Sequence, residues 1–129
     1  MKYLKFYLLT LTAFLLLDGL WLGLIAQPIY QRALGHLMAD PPDFLAAALF
    51  YPAYILGFCY LVVWPGAEQS ARWVWWKGWV FGLITYGTYE LTNKAVLADW
   101  PWWIVPIDIL WGGFLCASSA FITTSVFRR

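Results

Sequence analysis

Three carboxylic acids lie inside apolar stretches of this sequence. They are Asp18, Glu90 and Asp108. On insertion scales a charged side chain at the centre of a bilayer costs about 2.5–3.5 kcal/mol, so such residues are usually turned inward, paired and functional. Carboxyl groups can hold a cation, accept hydrogen bonds from a ligand, or act as general acid or base. These three side chains are therefore the candidate chemistry of the chain.

Aromatic side chains accompany these acids at helical spacing. Asp18 precedes Trp21 by three residues, and Asp108 precedes Trp111 by three, which places each pair on one helix face. Tyr-x-x-Tyr pairs occur in the two intervening apolar segments. Aromatic faces beside carboxylates suit cations. The predicted ligand-binding residues are Asp18, Trp21, Tyr51, Tyr54, Tyr86, Tyr89, Glu90, Asn93, Asp108 and Trp111.

The composition indicates which elements must position these side chains. The 129 residues are 63% hydrophobic and 12% charged, with a mean hydropathy of +0.67. An ordinary soluble domain is about 45–50% apolar and about 25% charged, and a small domain cannot bury such an excess of apolar surface. The net charge of +1 gives no electrostatic reason to expect nucleic acid as a partner. We predict a single integral membrane domain over residues 1–129, with the lipid bilayer as its main partner.

Four apolar segments are long enough to cross the hydrocarbon core, which takes about 20 residues. They cover residues 4–25, 44–63, 73–94 and 102–122. Short loops join them, so the sequence predicts an all-α, antiparallel four-helix bundle. The first segment is expected to be a retained span and not a cleaved signal peptide, because its apolar run is too long and Asp18 interrupts it.

Prolines and a capping residue mark the expected helix ends. Pro28 is predicted to close the first span and Pro65 the second, while Asp43 is a candidate N-cap of the second. Pro52 and Pro106 lie inside spans, where each should remove a backbone hydrogen bond and bend its helix. The fourth helix could begin at Trp102 or only at Pro106.

Basic residues predict the direction of the spans. Six of the eight lie on the side that holds both termini and the middle loop, and two lie on the other side. Because cytoplasmic loops carry the excess of Lys and Arg, both termini are predicted to be cytoplasmic. The larger group is Lys2, Lys5, Arg72, Lys77, Arg128 and Arg129, and the smaller is Arg32 and Lys94.

Most tryptophans are expected to anchor the spans at the two membrane interfaces, where an apolar ring and a polar N–H suit the headgroup layer. The predicted cytoplasmic belt is Trp64, Trp73, Trp75, Trp76 and Trp79, and the predicted outer belt is Trp100, Trp102 and Trp103.

This topology brings the candidate residues to one level. Asp18 lies in the outer part of an outward helix, and Asp108 in the outer part of an inward one. We expect one polar cavity open to the periplasmic side, with both aspartates and their tryptophans pointing into the bundle. Glu90 and Lys94, four residues apart, could form an ion pair within their helix. A lone histidine in a loop is usually only solvated, although Arg32 and His36, four residues apart, could cap the cavity.

Other chemistries find little support. No P-loop, dinucleotide fingerprint or serine-nucleophile elbow can be read, and no cofactor is predicted. His36 could in principle join the acids in a metal site, but no ligand spacing supports it and none is predicted. Cys59 and Cys116 are expected to be small packing residues. Gly19-x-x-x-Gly23 and Gly78-x-x-x-Gly82 favour close helix packing, part of which could serve a homodimer.

Four motifs carry a resemblance to a known family, and together they cover essentially the whole chain. They are Leu17-Asp18-Gly-Leu-Trp21-Leu-Gly23, Ala48-Leu-Phe-Tyr51, Tyr86-Gly-Thr-Tyr89-Glu90-Leu-Thr-Asn93 and Asp108-Ile-Leu-Trp111-Gly112. The chain resembles the small bacterial membrane proteins of domain of unknown function 2177. In that family Asp usually stands where this chain has Glu90, a change that keeps the carboxyl and lengthens its arm. The resemblance implies a bacterial inner-membrane location and no particular activity.

Three functions remain open from the sequence. The leading hypothesis is a membrane protein that binds or transports a small polar or cationic ligand in the outward-facing cavity. The first alternative is a membrane enzyme acting on lipid or another apolar substrate, with one of the three acids as general acid or base. The second is a structural or accessory subunit whose polar residues only specify helix packing. Whether the protein is an enzyme is left undecided.

Overall fold

Helices account for the regular structure of the chain. The computed structural model describes residues 1–128 and contains no strand within that range. Two π-helical turns, Trp21–Ala26 and Cys59–Val63, join α1 to α2 and α3 to α4. The predicted all-helical bundle is confirmed. The helices are α1 (Lys2–Leu20), α2 (Gln27–Leu34), α3 (Phe44–Phe58), α4 (Trp64–Gly66), α5 (Ala71–Val96) and α6 (Ile104–Val126).

Within residues 1–128, three helical stretches are long and apolar enough to cross a membrane. They are Lys2–Leu37, Phe44–Gly66 and Ile104–Val126, with mean hydropathies of 2.0, 1.9 and 1.6. α5 has 26 residues, which is ample length for a span, but it does not reach the same hydropathy. Its sequence mixes Gly, Thr, Tyr and Trp with aliphatic residues, and these side chains score low on hydropathy scales.

Local signals explain where two helices begin. The Asp43 carboxylate accepts a hydrogen bond from the Ala46 backbone N–H at 3.1 Å, as its predicted N-cap role requires. α6 begins at Ile104, between the two starts that the sequence left open. Pro106 therefore lies in the first turn, where helical N–H groups have no partner within the helix. The prediction that it removes a backbone hydrogen bond was wrong.

The first helical stretch does not end at Pro28, contrary to the sequence prediction. The π-helical turn Trp21–Ala26 precedes this proline and shifts the hydrogen-bond register. Pro28 then occupies the first turn of α2, where a missing N–H costs nothing. The helix consequently continues to Leu37, and its last turns pack on the start of α6 through Leu34 and Val105.

Glycines let α5 and α6 approach closely. A Cβ on Gly78 would lie 2.8 Å from the Ala117 Cα, and one on Gly82 would lie 2.7 Å from the Gly113 Cα. Gly78 meets Ala117, and Gly82, one turn later in α5, meets Gly113, one turn earlier in α6. These two helices therefore run in opposite directions. The glycine motif of α5 thus makes the predicted close contact. The motif of α1 does not, since Gly19 has nothing within 4 Å of an added Cβ.

A polar contact joins α1 to α6 away from the carboxylic acids. The hydroxyls of Thr10 and Thr123 are 2.9 Å apart, and both side chains are fully buried. Nearby, the rings of Phe6 and Phe127 stack with centroids 4.8 Å apart. The first and last helices are therefore direct neighbours, as predicted.

This threonine pair makes a testable contribution to stability. Thr10→Val keeps the shape but removes the interhelical hydrogen bond, and should lower the free energy of unfolding by about 1 kcal/mol. Thr12→Val is the matched control, because the Thr12 hydroxyl bonds only to the Leu8 carbonyl of its own helix. Reversible unfolding in mixed micelles, followed by circular dichroism, measures both. Equal losses for the two variants would contradict the assignment.

Candidate ligand-binding cavity

A cavity of about 710 Å³ lies between the helices at one end of the bundle. Its volume falls in the range of small-molecule sites, about 300–1,000 Å³. Its walls are mainly apolar or aromatic, and no Lys, Arg or His among residues 1–128 lines it. The lining residues are Asp18, Leu22, Tyr30, Leu34, Met38, Phe50, Tyr51, Tyr54, Ile84, Thr85, Tyr86, Thr88, Tyr89, Glu90 and Asp108.

Most of the predicted binding residues meet in this one cavity. Trp21 and Trp111 do not line it but lie behind its walls, where they donate hydrogen bonds. Asn93 is also absent from the lining. The predicted residues that do line the cavity are Asp18, Tyr51, Tyr54, Tyr86, Tyr89, Glu90 and Asp108.

Asp18 is held from the opposite helix. The residue is 8% exposed, and its Oδ1 accepts a hydrogen bond from the Trp111 indole N–H at 3.1 Å. The Trp111 ring stacks on Trp21, with centroids 4.5 Å apart and an interplanar angle of 11°. The indole pair therefore fixes the position of the carboxyl group. The predicted inward orientation of both aspartates is confirmed, since Asp108 is only 6% exposed.

Asp108 is held by a residue that the sequence analysis missed. The Tyr30 hydroxyl donates a hydrogen bond to Asp108 Oδ1 and accepts one from the Trp21 N–H at 3.3 Å. Tyr30 was missed because Pro28 was interpreted as the end of the helix. A signal was present, since apolar residues at 29, 30, 33 and 34 have the spacing of an amphipathic helix.

Glu90 is the most deeply buried of the three acids. It is 0% exposed, and its Oε1 accepts a hydrogen bond from the Trp100 N–H at 2.9 Å. The side chain faces the carboxyl of Asp108. The other carboxyl oxygen, Glu90 Oε2, has no hydrogen-bond partner among residues 1–128. Glu90 is also one of the residues that line the cavity.

Trp100 corrects the predicted outer belt. The belt interpretation placed this indole against lipid, but it is 5% exposed and packs in a cluster with Leu34 and Ile104. Trp102 and Trp103 remain exposed, as a belt requires. No feature of the sequence separates Trp100 from its two neighbours, so only the fold reveals its role as a donor to Glu90.

Two possible roles of charged residues that the sequence raised are not realised. Lys94 does not pair with Glu90, and its ammonium lies over the Trp102 ring at 5.4 Å from the centroid. The buried carboxyl turns inward to Trp100, whereas the lysine turns outward. Neither Arg32 nor His36 lines the cavity, so they do not cap it. His36 instead lies 3.8 Å from the carboxylate of Asp99 at the surface.

One side of the cavity is an opening between α3 and α5. These helices touch through the Tyr54 and Thr85 hydroxyls at 2.9 Å and through the rings of Phe58 and Phe81 at 4.9 Å. Towards the start of α3 and the end of α5, no further hydrogen bond or ring contact joins them within the described residues. Near its middle, α3 is also held by α1, where the Tyr7 hydroxyl donates to the Pro52 carbonyl at 3.0 Å.

The sequence model of a family described as "Predicted membrane protein (DUF2177)" matches residues 3–125. The chain belongs to this family. Its four sequence motifs, and with them Asp18, Glu90 and Asp108, all fall inside the matched range. No curated protein and no solved structure matches the chain significantly.

Membership in DUF2177 makes this a membrane protein of unknown function. Within residues 1–128 of this DUF2177 chain, no group of three or more His, Cys, Asp or Glu side chains is arranged to hold a metal ion. What the site offers is hydrogen bonding by three carboxyl groups within an aromatic wall.

Proposed function

We propose that this protein binds, and moves within or across the membrane, a small ligand with a cationic or hydrogen-bond-donating group. The observation that carries the proposal is the convergence of Asp18, Glu90 and Asp108 on one cavity whose lining has no basic side chain. An anionic ligand would meet like charge in a poorly solvated place. A cation meets opposite charge there, together with aromatic faces that attract it further.

The carboxyl groups are already oriented for such a ligand. In each acid one oxygen is held by an aromatic donor, namely Trp111, Tyr30 or Trp100. The second oxygen of each acid accepts no hydrogen bond from the described residues. A side chain fixed in this way loses little conformational entropy on binding, so more of the interaction energy appears as affinity.

Charge selectivity tests the proposal. Benzylammonium and benzoate have similar size and opposite charge. Equilibrium dialysis against the protein in lipid nanodiscs, with empty nanodiscs as background, should show saturable binding of benzylammonium only. Equal binding of the two ions, or binding of neither, would contradict the proposal.

A membrane enzyme is the second candidate, and one contact favours it. Glu90 faces Asp108 in the cavity, and two adjacent carboxyl groups can divide acid and base roles between them. The substrate would then be a lipid or another apolar molecule, in agreement with the apolar walls. The accessory-subunit alternative expects a filled polar cluster, and a cavity of about 710 Å³ speaks for a ligand instead.

We propose a bacterial inner-membrane location with four spans, α5 being the fourth. α5 packs along α6, with Gly78 against Ala117 and Gly82 against Gly112. If α6 crosses the bilayer, α5 must lie at the same depth. Its exposed Val80 and Ile84 would face lipid.

The topology has its own test. Both termini and the loop before Ala71 are expected in the cytoplasm, because six of eight basic residues lie on that side. Fusions of a reporter that is active only in the cytoplasm, placed after Glu68 and after Arg129, should both be active. A fusion placed after Met38 should be inactive. If a reporter that works only outside the cytoplasm were active when fused to the C-terminus, this topology would be refuted.

A further inference from the structure

The opening between α3 and α5 lies at the level of the predicted spans. Its rim carries exposed apolar side chains, with Phe50 at 54% and Ile84 at 62% exposure. Both residues also line the cavity. In a bilayer, exposed apolar residues in the middle of helices face acyl chains. The cavity is therefore continuous with the lipid phase on this side.

The outer end of the cavity is partly covered. α2 follows α1 beyond Trp21, and its residue Leu34 lines the cavity from that end. The cover is held in place, because the Tyr30 hydroxyl bonds to Asp108 and the buried Leu34 packs on Val105. An approach to the carboxyl groups from the side, between α3 and α5, does not pass this cover.

The two ends of the cavity differ in chemistry. The wall that faces the interior of the bundle carries Asp18, Glu90 and Asp108. Glu90 also has a fully buried carboxyl oxygen without a hydrogen-bond partner among residues 1–128. The side towards the lipid presents Phe50, Ile84 and other apolar or aromatic groups. A ligand that satisfies both ends must have a charged or donor head and an apolar tail.

We infer that the ligand is a cationic amphiphile, which reaches the carboxyl groups through the opening between α3 and α5 and leaves its tail among Phe50, Ile84 and the adjoining lipid. This inference rests on the proposed function and adds to it the class of ligand and the route. Molecules of this class include alkylammonium compounds and lipids with an amino head group.

Chain length is the first test. Butyl-, hexyl- and octylammonium are titrated as competitors of benzylammonium against the protein in nanodiscs, with empty nanodiscs correcting for partition into lipid. Each methylene placed on apolar protein surface should improve affinity about fourfold, so octylammonium should bind about two orders of magnitude more tightly than butylammonium. If butyl- and octylammonium bind equally, the amphiphile inference fails and the proposed function stands. If no ammonium compound binds, both fail.

A blocked opening is the second test. Ile84→Trp places a large ring on the rim and should remove the gain in affinity with chain length. Thr88→Trp on the same rim is a second variant, which keeps the test possible if Ile84→Trp does not fold. Leu110→Trp is the matched control, because Leu110 is exposed on α6 and does not line the cavity. A gain that survives in both folded rim variants would overturn the lateral route.

Discussion

Gly82→Ala should unfold the protein or separate α5 from α6. The added Cβ would lie 2.6 Å from the Gly112 carbonyl carbon and 2.7 Å from the Gly113 Cα. All of its nearest neighbours are backbone atoms, so no side-chain rotation can relieve the contact. Overpacking a well-packed core costs about 1–3 kcal/mol and occasionally more, and this site belongs at the upper end. Thermal unfolding in detergent, followed by circular dichroism, measures the loss.

Gly19→Ala is the matched control for this substitution. A Cβ at Gly19 meets nothing within 4 Å, and the residue lies inside α1. Alanine favours helix over glycine by about 1 kcal/mol, so this variant should be as stable as the wild type or more stable. If both alanine variants behave alike, the glycines of α5 do not determine the helix packing.

Asp18→Asn should reduce binding of benzylammonium about 100-fold while leaving the bundle folded. The amide oxygen can still accept the hydrogen bond that Trp111 donates to Asp18 Oδ1 at 3.1 Å. What the variant lacks is the negative charge, and a charge-assisted hydrogen bond contributes about 1.5–3 kcal/mol. The predicted result is therefore lost affinity at unchanged unfolding temperature. Dialysis and thermal unfolding on the same nanodisc sample measure both quantities.

Asp40→Asn is the matched control, because it makes the same chemical change at another position. Asp40 is exposed, lies outside every helix and does not line the cavity, so its replacement should change neither binding nor stability. If Asp18→Asn lowers stability as well as affinity, Asp18 serves mainly to join α1 to α6. An unchanged affinity would show that this carboxyl is not part of the site.

Local rules predicted the parts of the fold that depend on neighbours in sequence. Asp43 caps α3 because an acceptor at that position meets the free N–H groups of the first turn. The inward orientation of Asp18 and Asp108 followed from the cost of a carboxyl facing lipid. The convergence of the acids on one cavity followed from the depth of each residue in its predicted span.

The partners of those acids could not be predicted in the same way. Spacing placed Trp21 on the same face as Asp18, yet the hydrogen bond to Asp18 comes from Trp111 on another helix. Glu90 was expected to bind Lys94 one turn away and binds Trp100 instead. Helical spacing shows which side chains share a face, whereas the choice between donors depends on how the helices cross.

The proline at the end of the first span produced the largest error. A proline in a helix usually breaks it because the i−4 carbonyl loses its donor. Here the wider turn Trp21–Ala26 absorbs the change of register, and the helix resumes with Pro28 in its first turn. The rules used to interpret the sequence do not predict π-helical turns. Tyr30 was therefore assigned to a loop, and its contact with Asp108 was not predicted.

The hydrogen bond between Trp111 and Asp18 can form only late in the synthesis of the protein. The two residues are 93 positions apart, and at a synthesis rate of about 5–20 residues per second Asp18 waits about 5–20 s for its partner. During that interval the first helix carries a carboxyl without its indole. A nascent chain that stops before Trp111 would leave this group uncovered in the bilayer, where proteases that survey membrane proteins could recognise it. Completion of the last helix is therefore the step that supplies the hydrogen-bond donor of Asp18.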